Sequence, residues 1–298
     1  MEKIDKILWA TDGSREARYA LGYAKLLAKT FNSEIIGLHV IKVGSKKWWG
    51  LLGKKVDLAE WSKDTADKWF VLFEGVKENL KREGLKFNYK VVTGLPDERI
   101  VETAEKEKVG LIIMGKRGFG LKDRLLVGSN TIKVLQGSQI PVLAVKSGNG
   151  RSLPRVRRIL VPFDLAEKFD SALRYALYFG KAFNATVSLV YVLELISYPY
   201  EFPLNILNEM REEYDKELKA KIKELSYPGS NRVKIKHKVI ESINPYLGIV
   251  AFAEDEKPDL IIMNTHGRKG IKRLALGSVA EKVIQEAPYS ILALKPSK

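Results

Sequence analysis

Leu111-Ile112-Ile113-Met114-Gly115-Lys116-Arg117-Gly118, followed after nine residues by Gly128-Ser129, joins a short apolar run to a glycine-bearing turn and then to a helical pattern. The run is brief, apolar throughout and bounded by glycine, which is how a strand buried on both faces reads. The same phrase returns as Leu260-Ile261-Ile262-Met263-Asn264-Thr265-His266-Gly267, with Gly277-Ser278 at the same spacing and an offset of 267 − 118 = 149. A second pair stands upstream of each, Lys6-Ile7-Leu8-Trp9-Ala10-Thr11-Asp12 and Arg158-Ile159-Leu160-Val161-Pro162-Phe163-Asp164, offset by 164 − 12 = 152. A period near half the chain marks duplication of whole domains, much longer than the unit of a solenoid.

Working outward, each copy alternates strand-like and helix-like segments, the signature of a parallel sheet covered by crossover helices. In the first copy Ala17, Ala20, Leu21, Ala24, Leu27, Ala28 and Phe31 recur at helical spacing. Strands are expected at 7–10, 35–40, 87–92, 111–114 and 142–145, with helices over 61–82, 96–108 and from Ser129. The second copy repeats the order with strands at 159–161, 186–193, 233–240, 260–263 and 291–294. The predicted fold class is α/β: two tandem, doubly wound, five-stranded parallel-sheet domains, Rossmann-like, with strand order 3-2-1-4-5. The boundaries follow the small, glycine- and proline-bearing stretch Ser147 to Arg155. They place one domain at 1–147, a linker at 148–155 and a second domain at 156–298.

Composition narrows the function classes. The chain has 298 residues, 45% of them hydrophobic, enough for two cores of ordinary size. It has no cysteine, which excludes a disulfide framework, a thiol nucleophile and a cysteine-ligated metal. No apolar run approaches the roughly 20 residues that cross a bilayer, and no signal core precedes the first strand, so a cytoplasmic location is expected. The net charge of +15 favours acidic partners, and is equally the mark of a lysine-rich solvated surface. All five tryptophans fall in the first copy, two of them in the insert Gly44 to Lys55, where Trp48-Trp49 stands between lysine pairs. That insert either docks on a partner or anionic lipid, or folds back onto its own domain.

The two repeated phrases converge. In an open parallel sheet, ligands sit beyond the carboxyl ends of the strands where the strand order reverses. Asp12 ends the first strand and the Gly115 turn follows the fourth, its neighbour. Gly115 and Gly118 suggest positive φ and close approach of a phosphate; Gly128-Ser129 opens a helix whose N–H groups favour an anion. Ser129 and Thr131 offer hydroxyl donors, while Lys116, Arg117, Lys122 and Arg124 offer charge. Asp12 serves either a ribose, base or phosphate-bound divalent ion, or a helix cap shared with Ser14. Val40, at the end of the second strand, reads as a base-pocket wall or as core. No Walker, GxSxG or zinc spacing appears, and His39, His237 and His266 show no evident partner, so no catalytic or metal-ligating residue is assigned.

These residues resemble the tandem form of the universal stress protein family. The pattern Gly, two residues, Gly, nine residues, Gly-Ser is met at Gly115, Gly118, Gly128 and Ser129. The resemblance implies ATP binding by the first copy through Ala10, Thr11, Asp12, Val40, Met114, Gly115, Lys116, Arg117, Gly118, Gly128, Ser129, Asn130 and Thr131, with Mg2+ or Mn2+ accompanying the phosphates. Matching positions in the second copy are Asp164, Val192, His266, Gly267, Gly277 and Ser278, but Asn264, Phe163 and Ala280 depart from the first copy and suggest a diverged site. The implied role is stress-response regulation, with ATP occupancy read by a regulatory protein partner. Pairing of the domains through Val142–Val145 and Ile291–Leu294, and a homodimer, are also implied. The competing classes are a slow ATPase or a phosphoryl or nucleotidyl transferase, and a nucleotide-independent scaffold or nucleic-acid binder; no specific nucleic-acid motif is present.

Overall fold

The computed structural model describes residues 3–42, 58–117, 127–147, 154–165, 171–195, 204–225, 233–265 and 276–295. The chain divides into two compact units, 2–154 and 155–298.

In the first unit the order is β1 (Lys6–Ala10), α1 (Arg15–Phe31), β2 (Glu34–Lys42), α2 (Leu58–Arg82), β3 (Phe87–Gly94), α3 (Pro96–Lys106), β4 (Leu111–Gly115), α4 (Ser129–Gly137) and β5 (Val142–Val145). The strands pair in parallel as β3-β2-β1-β4-β5. Isoleucine and leucine fill β1 and β4 because both sheet faces are covered: Ile7, Leu8, Leu111, Ile112 and Ile113 are all fully buried. Each such side chain contributes about 1.5–3 kcal/mol relative to exposure. The edge strand β3 is half-buried along most of its length, with Asn88 and Thr93 exposed.

Helix α1 forms where the alanine stripe predicts. Ser14 caps it by accepting from the Ala17 N–H, Ala17, Ala20, Ala24, Leu27 and Ala28 face the sheet, and Asn32 closes it in the left-handed region at φ 56°. The small alanines let the helix lie close to the sheet, and the Trp9 indole Nε1–H donates to Ala17 O at 2.8 Å. On α2, Phe73 is buried against Trp9, with centroids 6.0 Å apart and rings nearly perpendicular.

The second unit repeats the plan: β6 (Arg158–Pro162), α5 (Ser171–Phe183), β7 (Thr186–Glu194), α6 (Leu204–Leu225), β8 (Ile235–Ser242), α7 (Pro245–Glu256), β9 (Leu260–Asn264), α8 (Ser278–Glu286) and β10 (Ser290–Leu294). Its parallel order is β8-β7-β6-β9-β10. Asp259, just before β9, accepts from the Arg157 and Arg158 N–H groups at 2.8 and 3.0 Å and from Arg155 Nε at 3.2 Å, fixing where β6 begins. Among the described residues no helix is long and apolar enough to cross a membrane.

Candidate functional site

Register builds the site. Ala10 lies opposite Met114, so β1 and β4 end side by side and the chain leaves them as Thr11-Asp12 and as Gly115-Lys116-Arg117. The Thr11 peptide is held from both ends: its N–H donates to Leu38 O at 2.9 Å, and its carbonyl accepts from His39 Nδ1 at 2.8 Å. Because a carbonyl only accepts, that bond places the His39 proton on Nδ1. The His39 ring also stacks on Trp69 at 3.7 Å, and burial keeps its pKa below the ordinary value despite the Thr11 carbonyl and Asp12.

After Thr11 the chain turns through Gly13, whose φ of 78° suits a residue without Cβ. Asp12 Oδ1 accepts from the Ser14 N–H at 2.9 Å, while Ser14 Oγ accepts from the Ala17 N–H at 3.1 Å. The helix cap is therefore Ser14, and Asp12 supports the turn that presents it while staying exposed.

A cleft of about 260 Å³ opens above these strand ends. Ala10, Thr11, Asp12, Val40, Met114, Gly115, Arg117, Gly128, Ser129, Asn130 and Thr131 all line it, joined by Ala17, Leu38, Pro96 and Ile100. The last four were not picked out by the sequence reading. Pro96 and Ile100 lie on α3, where helical periodicity explains them as packing residues and nothing local signals a ligand.

The turn after β4 is tied down on every side. Lys116 N–H donates to Val145 O at 2.7 Å, and Lys116 O accepts from the Gly128 N–H at 2.8 Å, which brings the start of α4 to the cleft. Gly128 has no side chain to cap that helix, and uncapped first-turn N–H groups are of the kind that favours an anion. Glu16, buried in the first turn of α1, accepts from both the Arg117 N–H and Arg117 Nε, the latter at 3.1 Å, with Lys146 Nζ at 3.5 Å. Glu16 carries no signal in the sequence, because its partner is 101 residues away and no local pattern couples them.

Three expectations change. Gly115 is not among the described positive-φ glycines; a Cβ there would come within 2.9 Å of Ala17 N and 3.0 Å of Glu16 Cβ, so α1, rather than a phosphate, requires the glycine. Thr131 donates its hydroxyl proton to Gly115 O at 3.0 Å and is buried, which leaves it no proton for a ligand; Ser129, two residues earlier, is exposed. Lys116 is fully buried and does not line the cleft, and burial lowers its pKa to about 7, with Lys146 and Arg117 lowering it further and Glu16 opposing. His39 and His237 also have partners, His237 lying 3.1 Å from Asp215. Gly118, Lys122, Arg124, His266, Gly267 and the Trp48-Trp49 insert lie outside the described residues. Among those described, no group of His, Asp and Glu could hold a metal ion by itself.

The pattern of the universal stress protein family matches residues 3–146 and again 155–295. The chain belongs to the universal stress protein family. Universal stress protein MJ0531 of Methanocaldococcus jannaschii is 34% identical over 153 residues, spanning 50% of this chain and 87% of that protein. MJ0577 of the same organism is 35% identical over 155 residues, 48% of this chain and 96% of its own. A crystal structure of a universal stress protein from Archaeoglobus fulgidus superposes with a TM-score of 0.69 at 23% identity, covering 99% of this chain and 100% of that one, and shares the fold.

Both halves of this universal stress protein keep one backbone plan at the strand ends. Thr265 N–H donates to Leu294 O and Thr265 O accepts from the Gly277 N–H, each at 2.7 Å, repeating the two bonds of Lys116; Phe163 N–H donates to Val190 O at 2.9 Å, repeating Thr11. The side chains differ. Phe163 is buried where the first half has Thr11, Ala280 stands where Thr131 donates its hydroxyl, and Asn264 stands where α1 demands Gly115. Asp164, Val192 and Gly277 are half-buried and Ser278 is exposed at the corresponding strand and helix ends.

Proposed function

We propose that residues 2–154 bind ATP in the cleft between β1, β2, β4 and α4, and that the bound nucleotide regulates the protein rather than being turned over. The single observation that supports this most is the convergence on one cleft of an exposed carboxylate, Asp12, an apolar wall, Leu38 and Val40, and the uncapped start of α4. In that reading the adenine lies against Val40 and Met114, Asp12 meets the ribose, and the phosphates lie at the N–H groups and Ser129 hydroxyl of α4, with Arg117 beside them. Mg2+ or Mn2+ would arrive with the phosphates, since the described residues supply no cluster of ligands for one. Residues 156–298 form the diverged copy, in which Phe163 replaces the small residue at the strand end.

Slow or absent hydrolysis accords with the described side chains: Asp12 Oδ1 accepts from the Ser14 N–H, and His39 holds the Thr11 carbonyl through its Nδ1 proton. A cytoplasmic regulator whose occupancy a protein partner reads is the corresponding cellular role. The test is mass spectrometry of small molecules released on denaturing freshly purified protein, with calorimetric titration of ATP into the wild type and Val40→Glu. Nucleotide in the wild type, lost in the variant at unchanged circular dichroism, is the expected result. A wild type that carries no nucleotide and does not bind added ATP overturns the proposal, and repeated ADP release on prolonged incubation would make the protein a slow ATPase instead.

A further inference from the structure

The proposed contacts with the nucleotide leave one buried group unused. Lys116 is 0% exposed although Gly115 and Arg117 on either side of it line the cleft. Helix α1 brings Glu16 to it, the turn itself Arg117 and the end of β5 Lys146, while the first turn of α4, Ser129-Asn130-Thr131, brings no ionisable side chain. Among these described groups Glu16 is the carboxylate that favours the charged lysine, Arg117 and Lys146 are the cations that oppose it, and Glu16 also pairs with both of them. Burial and the two neighbouring cations hold the Lys116 ammonium down to about 7, so near neutrality its charge is poised.

The lysine is not needed to build the turn. In residues 155–298 the same backbone position makes the same two hydrogen bonds and carries Thr265, 1% exposed. A buried cation in only one of two otherwise parallel turns, next to the cleft where α4 starts uncapped, needs a different explanation from folding. An anion of several negative charges at Arg117 and the start of α4 offsets the local excess of positive charge and favours the charged lysine.

We propose that binding of a nucleoside polyphosphate in this cleft is coupled to uptake of a proton by Lys116, which makes the lysine a charge-selective element of the site. The inference rests on the nucleotide reading above. Linkage is reciprocal: if the ligand favours the protonated lysine, protonation favours the ligand by the same factor. The affinity for ATP then falls as pH rises above the free-state value, by up to about tenfold per pH unit until the bound-state value is passed. Ligands with less phosphate charge show less of the effect.

Calorimetric titrations at about pH 8, where a terminal phosphate is deprotonated, in two buffers of different ionisation heat count the protons taken up with ATP, AMP and adenosine. The wild type is expected to take up most of one proton with ATP, less with AMP and none with adenosine. Lys116→Met and Lys116→Thr, the latter placing the residue of the other half, are expected to take up none and to bind ATP with nearly the same affinity from about pH 7 to 9. ATP binding without proton uptake by the wild type, or uptake unchanged in both variants, overturns the coupling and leaves the nucleotide reading standing. Absence of ATP binding overturns both. Should the variants not fold, carbon-13 NMR of the wild type labelled at lysine Cε decides: one lysine titrating near neutrality when free and well above pH 8 with ATP supports the coupling, and no such shift overturns it.

Discussion

Glu16, Lys116 and Thr131 show how much of the site depends on side chains that the ligand need not touch. Glu16 holds the turn after β4 against α1 through Arg117, a charge-assisted contact at a buried carboxylate. Glu16→Ala would leave Arg117 and Lys146 without that carboxylate in a partly buried setting, so a loss of about 3 kcal/mol in urea denaturation is expected. Thr131→Val removes the hydroxyl that satisfies the Gly115 carbonyl and is expected to cost about 1–2 kcal/mol of stability. Ser129→Ala, by contrast, is expected to weaken ATP binding several-fold with the denaturation midpoint unchanged, because Ser129 is exposed at the cleft. Lys116 has a pH signature of its own. Its folded-state pKa is about 7, below the roughly 10.4 of an unfolded lysine. The unfolded chain therefore binds more protons between those values, stability rises with pH across that window, and the penalty is complete at and below the folded value. Lys116→Met should accordingly stabilise the protein by at most about 5 kcal/mol at pH 7 or below, the gain shrinking toward pH 10.

At the scale of the elements, periodicity located the strands and helices and local chemistry set their ends. The alanine stripe from Ala17 to Ala28 is the buried face of α1, and Pro96 opens α3 as its fixed φ and missing N–H suit a first turn. The sequence pattern carries α3 to residue 108, but the helix stops at Lys106 and Lys108 adopts φ 52°, a termination that polar residues alone do not announce. Helix α2 begins at Leu58, three residues before the expected start. The Asp12–Gly13–Ser14 turn resolves the choice between ligand contact and cap for the cap itself, because Ser14 Oγ reaches the Ala17 N–H. Ser14→Ala should lower stability by about 1 kcal/mol in thermal unfolding and leave the order of strands intact. What the pattern could not show was which helix supplies the far wall of the cleft, since Pro96 and Ile100 read as ordinary packing until α3 is seen beside Val40.

For the molecule as a whole, the proposal that the first copy alone binds ATP predicts one nucleotide per chain. Calorimetry on the full chain is expected to give a stoichiometry near one, and two would restore a working site to residues 155–298. The repeat, the parallel α/β plan and the family were written in the sequence, because strand and helix periodicities and the Gly115-to-Ser129 spacing are local and survive without knowledge of contacts. The roles within the site were not. Gly115 is glycine because α1 passes within reach of its missing Cβ, Thr131 is committed to a carbonyl 16 positions away, and Lys116 owes its lowered pKa to burial beside Lys146, Arg117 and Glu16. Those are distances and dielectric surroundings between residues far apart in the chain, and only the folded sheet brings them together.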